Sequence, residues 1–157
     1  MKPNIGISEQ HLAEISQILS HLLADEFVLY TKTRKAHWNL EGPDFHSMHQ
    51  WFESQYNELA EIVDKIAERI RMLGHYAPAT LQQFLELTHL TEQTRAKNDS
   101  QGFIKELLND HETITIHIRT QMNRLSEPLK DTGTSDYLTG LTEYHEKTAW
   151  MLRSHLK

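Results

Sequence analysis

The 157-residue sequence predicts an all-α fold, a four-helix bundle with one long crossover connection, on three observations. Helix breakers are sparse, with four Pro and six Gly in the whole chain. The long stretches between them repeat apolar residues at the 3-4 spacing of helices that bury one face. Nothing alternates with the two-residue period of a half-buried strand, and there is no internal repeat or low-complexity run.

The first helix is predicted over residues 8–37. Ser8, followed by Glu9 and Gln10, forms its N-cap region, and Leu12, Ile15, Leu19, Leu22, Leu23, Phe27 and Tyr30 form its apolar side. After the turn Glu41-Gly42-Pro43, Asp44 is placed to cap a second helix that runs to about Leu73 and stops at Gly74. Its apolar positions are Phe45, Met48, Phe52, Tyr56, Leu59, Val63, Ile66 and Ile70. Ala77-Pro78-Ala79 leads into a short helix over residues 80–87, inside a long connection. A third long helix, residues 101–126, closes at Glu127-Pro128, because proline disfavours helical backbone in the residue before it. The fourth runs from about Ser135 to His155. Four long helices with one long middle connection are the mark of a crossover bundle. The length fits one domain over residues 1–157, with a short tail at residues 1–7.

Composition removes several function classes. With no cysteine, zinc ribbons, thioredoxin-type redox and cysteine nucleophiles are excluded. The 16 Lys and Arg against 22 Asp and Glu give a net charge of −6, which disfavours general affinity for nucleic acid or anionic lipid and suits metal cations. The N-terminal MKPNIGISEQ has no apolar signal region, and no run of about 18 apolar residues occurs, so a soluble, cytoplasmic protein without a membrane partner is expected.

Residues 35–53, KAHWNLEGPDFHSMHQWFE, concentrate three histidines, three acids, Trp38 and Trp51 around one Gly-Pro turn. On the second helix His49, Glu53, Asp64 and Glu68 stand at offsets 0, 4, 15 and 19. At about 100° per residue these offsets share an arc of roughly 100°. His49 and Asp64 are nevertheless separated by roughly 22 Å of helix at about 1.5 Å per residue, too far to share an ion within one chain. The pairs 49/68 and 53/64 have the same midpoint, 58.5. Two copies packed antiparallel about a twofold axis near Glu58-Leu59 therefore set His49 against the partner's Glu68, and Glu53 against the partner's Asp64, in two equal sites. His37 and His49 are centred on Pro43, so a hairpin turning there brings them level. Imidazole with several carboxylates suits iron, manganese or zinc, and the excess of oxygen donors leans toward iron or manganese.

Plainer readings stand beside this one. Residues 64–69 also fit an ordinary charged helix face, and Trp38 and Trp51 fit the packing of a hairpin. His21, His111 and His155 read as solvated or packed, and His46 has no symmetric partner and no assigned role. A di-iron centre inside one bundle needs two Glu-x-x-His motifs. This chain has one, Glu86 to His89, and it lies in the connection rather than on a core helix.

The string KAHWNLEGPDFHSMHQWFESQYNELAEIVDKIAERIRMLG resembles the Dps family, the ferritin-like mini-ferritins named as DNA-binding proteins from starved cells. His-Trp-Asn, a second histidine twelve residues on, an acid four later and Asp-x-Ile-Ala-Glu-Arg all keep their spacing. The C-terminal DYLTGLTEYHEKTAWMLRSHL fits as well, so the resemblance spans essentially the whole chain. It implies that His37, His49 and Glu53 of one subunit, with Asp64 and Glu68 of its twofold mate, bind iron at a ferroxidase site. It further implies a hollow homododecamer that oxidises Fe(II) with hydrogen peroxide, or with dioxygen, and stores ferric mineral, protecting the cell from oxidative damage. Trp38 and Trp51 are implied as aromatics that intercept stray oxidising equivalents near the site. Asp131 and Asp136 match acids that line threefold entry pores, although Thr132, Gly133 and Gly140 stand where other members offer further acids.

DNA binding is where the chain departs from the family name. Members that bind DNA strongly carry a lysine-rich tail, whereas here only Lys2 precedes the first helix and the chain ends RSHLK. Twelve copies carry a charge of about −72, which repels a polyanion, so DNA binding is expected to be weak or absent near neutral pH. A DNA-compacting module and a structural shell with a vestigial metal site are the alternative functions. The first lacks its basic tail here, and the second needs a broken ligand set that this chain does not have.

Overall fold

The computed structural model describes residues 3–92 and 97–157. Lys2, the basic residue of the expected tail, lies outside them. Four long helices and one short one follow in order: α1 (Glu9–Asn39), α2 (Phe45–Met72), α3 (Leu81–Leu87), α4 (Ser100–Ser126) and α5 (Thr132–Ser154). No strand forms among the described residues, and none of their helices is long and apolar enough to cross a membrane.

Named side-chain pairs fix the topology. Along α1 and α4, Arg124 pairs with Glu14 and Lys32 pairs with Asp110, so these helices run antiparallel. The short hairpin turns make α1 antiparallel to α2, and α4 antiparallel to α5. Hence α2 and α4 are parallel, and the chain must travel back along the bundle between them. That return is the crossover connection, and α3 rides on it against α1.

The termini follow local chemistry. Ser8 accepts from the His11 amide and caps α1, which continues two residues beyond the expected end, to Asn39. Gly74 has φ +87, a left-handed conformation that ends α2, and a Cβ there would meet Pro3 Cδ at 2.6 Å. Thr80 and Gln83 form a reciprocal capping box for α3. Two expectations are corrected. Asp44 occupies the N-cap position of α2 without any side-chain cap, because at φ −97, ψ 11 it lacks the extended backbone of a capping residue. The last helix begins at Thr132 rather than near Ser135, because Asp131 accepts from the Thr134 amide and starts it three residues earlier.

The core is the shared interior of the four long helices. Ile15, Leu19, Leu23 and Leu29 of α1 meet Phe52, Leu59, Ile66 and Ile70 of α2 and Phe103, Ile104 and Leu107 of α4, all under 2 % exposed or close to it. Each such side chain contributes about 1.5–3 kcal/mol by leaving water. Polar groups also enter the interior. Lys32 lies 2.6 Å from Asp110 and 3.3 Å from Glu106. Burial raises the Asp110 carboxyl to about 6, with Lys32 opposing the shift.

Candidate metal centre

The five-residue turn between α1 and α2 brings His37 and His49 to one level. Their rings stack with centroids 3.8 Å apart and planes 16° from parallel. His37 Nδ1 donates to the His49 carbonyl at 2.8 Å, and His49 Nδ1 donates to the His37 carbonyl, also at 2.8 Å. A carbonyl oxygen can only accept, so each Nδ1 carries the hydrogen and each neutral ring keeps its lone pair on Nε2. Reciprocal bonding thus fixes tautomer and heading for both imidazoles, as outer-shell partners do for metal-ligating histidines. Tyr56 packs edge-on against His37, and Phe45 stacks on His49.

Glu53 follows His49 by one helical turn and is exposed, with the Tyr56 hydroxyl 3.4 Å from its Oε1. Asp64 and Glu68 are exposed farther along α2. Over a rise of about 1.5 Å per residue they stay well away from the histidines of their own chain. Within one chain, then, the structure joins His37 and His49 and leaves Asp64 and Glu68 apart from them. His46 is exposed.

The two tryptophans differ. Trp51 is half-buried, lies beside Phe52 and has its ring 5.1 Å from that of His155, so it packs α2 against the C-terminal end of α5. Trp38 is 64 % exposed and fills no core space, and the Arg34 guanidinium lies 4.8 Å from its ring centroid.

The two aspartates matched to a pore also part company. Asp136 is exposed and lines a groove with Glu58, Glu61 and Lys65. Asp131 is 3 % exposed, and both of its oxygens are engaged within the chain. Arg69 donates to Oδ1 at 2.9 Å and to Oδ2 at 3.0 Å, while Thr134 donates through its amide and its hydroxyl. Burial works to raise the Asp131 carboxyl, but these hydrogen bonds and the Arg69 charge outweigh it and hold the group below its usual range. Asp131 is thus a helix cap and clamp, a role signalled in the sequence by an aspartate just ahead of Thr-Gly-Thr.

Two further polar clusters escape a reading by helical period. Glu26, His145 and His111 form a buried chain. His145 Nε2 donates to Glu26 Oε1 at 2.8 Å, and its Nδ1 lies 2.8 Å from His111 Nδ1. Burial, and then His145, push His111 well below the ordinary histidine range. Asp25, His89 and His117 form the other cluster. The acids Asp25-Glu26 inside the apolar run LLADEFVLY were the available signal, since two carboxylates on a core face must find partners.

A bundle of this topology, with an imidazole pair at one end and a carboxylate stripe along the second helix, defines the ferritin-like class, and residues 16–157 match the ferritin-like domain. The chain belongs to the Dps family of mini-ferritins within it. It is 40% identical to a low temperature-induced protein of Nostoc, over 98% of this chain and 86% of that one. It is 34% identical to DNA protection during starvation protein 2 of Bacillus anthracis, over 91% of this chain and 97% of that one. The Dps crystal structure from Vibrio cholerae superposes with a TM-score of 0.93 at 28% identity, covering 99% of this chain and 97% of that one. That protein is described as a member of a superfamily of ferritin-like diiron-carboxylate proteins.

Proposed function

We propose that this protein oxidises ferrous iron at sites shared between two copies and stores the ferric product, with iron as its substrate and cargo. The locked His37–His49 pair carries the reading. Two lone pairs are preset at Nε2 and Glu53 lies one helical turn beyond His49, yet the remaining carboxylates of the stripe, Asp64 and Glu68, are too far along the same helix to join them. A twofold mate supplies them. Membership of the Dps family and the diiron-carboxylate description of the Vibrio cholerae protein support iron storage and protection against oxidative damage. Assembly is supported by large apolar side chains left in water, among them Leu81 at 71 % and Leu85 at 52 % exposed on one face of α3. We take the assembly to be a hollow dodecamer built from twofold dimers.

The histidines receive the incoming ferrous ion as neutral donors, and the carboxylates favour the ferric product, because a hard anion gains more from the higher charge. Hydrogen peroxide is the proposed oxidant. Two ferrous ions give one electron each, and one peroxide takes both electrons with two protons to become two waters. Such a site removes both reactants of hydroxyl-radical chemistry together.

Mixing two inactive variants tests the sharing. His37→Ala and Asp64→Ala each disable every site in a pure assembly. In a mixed twofold pair, one of the two sites keeps an intact His37 and an intact partner Asp64, so random pairing restores about a quarter of the sites. Co-assembled protein should regain peroxide-driven Fe(II) oxidation in that proportion, with native mass confirming the assembly. No regain in a correctly assembled mixture sinks the shared site.

A further inference from the structure

A second histidine cluster lies between α1, α4 and the connection after α3. Asp25 of α1 is 1 % exposed. Its Oδ1 accepts from the Thr88 hydroxyl at 2.8 Å and the His89 amide at 2.6 Å, and its Oδ2 lies 2.9 Å from His89 Nδ1. His117 of α4 closes the group, its ring 3.9 Å from that of His89 and nearly perpendicular to it. One donor atom from each of Asp25, His89 and His117 lies within 4.8 Å of the others. The cluster opens into a cavity of about 330 Å³, which His21 also lines. His21 Nδ1 donates to the Leu87 carbonyl at 2.8 Å, so its neutral ring presents Nε2.

The charge balance singles this cluster out. Farther along the same α1–α4 seam, the buried Asp110 has Lys32 at 2.6 Å. Asp25 is as deeply buried, and its hydrogen-bonding partners are a hydroxyl, an amide and an imidazole, none of them a permanent cation. A buried carboxylate in this setting favours a positive charge beside it. His117 is shifted below its ordinary range, by burial first and by His89 second. Glu86, the acid of the lone Glu-x-x-His, is not part of this arrangement. It accepts from Gln82 at 2.8 Å, and the carboxylate that His89 uses is Asp25, 64 positions away.

We propose that Asp25, His89 and His117 form a binding site for a divalent first-row transition ion, complete within one chain and separate from the shared ferroxidase site. Two imidazoles and one carboxylate are a donor set that zinc and its neighbours accept. Donors about 2.0–2.1 Å from an ion sit roughly 3–3.5 Å from one another, so the Asp25–His89 contact already has the right span and His117 needs only a small side-chain rotation. The hydrogen on His89 Nδ1, now donated to Asp25, shifts to Nε2 or leaves when an ion takes that position. Binding ties the connection after α3 to α1 and α4 and so stabilises the crossover.

The test uses Zn²⁺ alone, on full-length assembled protein carrying His37→Ala and Asp64→Ala so that the ferroxidase site does not contribute. Calorimetric titration should find one Zn²⁺ per chain, with a rise in the thermal midpoint. Adding His117→Ala, or the bulk-preserving His117→Gln, should weaken binding at least tenfold and abolish the thermal rise. Each single His117 variant should leave ferrous oxidation unchanged. Equal Zn²⁺ binding with and without His117 overturns the proposal, and so does the absence of any Zn²⁺ site in the double variant. Neither result bears on iron oxidation, which is read separately.

Discussion

His37 and His49 stand twelve positions apart and meet because one short turn folds α1 back along α2. Asp25, His89 and His117 come from α1, the connection and α4, and meet only when the whole bundle is formed. The first cluster is local in sequence and, on the proposed reading, is completed by a second copy. The second is distant in sequence and lies within one chain. Sequence proximity therefore does not decide which donors meet, and the separation lets the two clusters be disturbed one at a time.

The largest effect is expected where the local cluster loses a donor. His37→Ala removes one Nε2 and also frees the His49 carbonyl, and peroxide-driven Fe(II) oxidation should fall by about 100-fold, as followed by ferric absorbance. His117→Ala should leave that rate unaltered, and a parallel fall would break the separation of the clusters.

Next in size is the clamp that holds the carboxylate-bearing helix. Asp131→Ala removes both an N-cap and the partner of Arg69, and should cost about 2–4 kcal/mol in chemical unfolding. Because its folded carboxyl lies below the unfolded value, the contribution of Asp131 is present above the unfolded value of 3.8 and is lost as pH falls through the folded one. The penalty of the variant should accordingly shrink in strong acid.

A smaller effect probes the seam that carries the distant cluster. Asp110 is raised from 3.8 to about 6, so between those values the folded chain holds a proton that the unfolded chain has released. Its contribution to stability is greatest below about 4 and falls as pH rises through 6, by about 3 kcal/mol at most. Asp110→Asn should flatten that part of the stability profile, measured by denaturant titration at several pH values. An unchanged slope would show that Asp110 does not set the pH dependence of the seam. The smallest expected signal is DNA retention in a gel shift near pH 7.5, where a chain of net charge −6 should give none that is tight and salt-sensitive.

Sequence alone made the helices legible, because a 3-4 apolar repeat and residues such as Ser8 and Gly74 act over a few positions. It also made His37 and His49 legible as a pair, since helical rise and one turn are enough to place them. The contacts of Asp131 were only half legible, for an instructive reason. An acid near a helix start fits both a pore and a cap, and the deciding contact, Arg69, comes from 62 positions away. Asp25, His89 and His117 were illegible because no period links α1, a connection and α4. Trp38 was expected to pack or to intercept oxidising equivalents; it lies exposed, one helical turn beyond Arg34 on α1, a neighbour that helical spacing does encode.

Glu68 and Arg69 are neighbours on α2 that head in different directions, one into solvent and the other onto Asp131 and Thr134. A helix gripped by a two-pronged guanidinium cannot roll about its axis without breaking three bonds. The bearing of the exposed Glu68 carboxylate is thus set from the inside face of the same helix, much as a key's teeth are set by its shank. On the proposed shared site, alignment between copies would be a property each chain carries before it meets another.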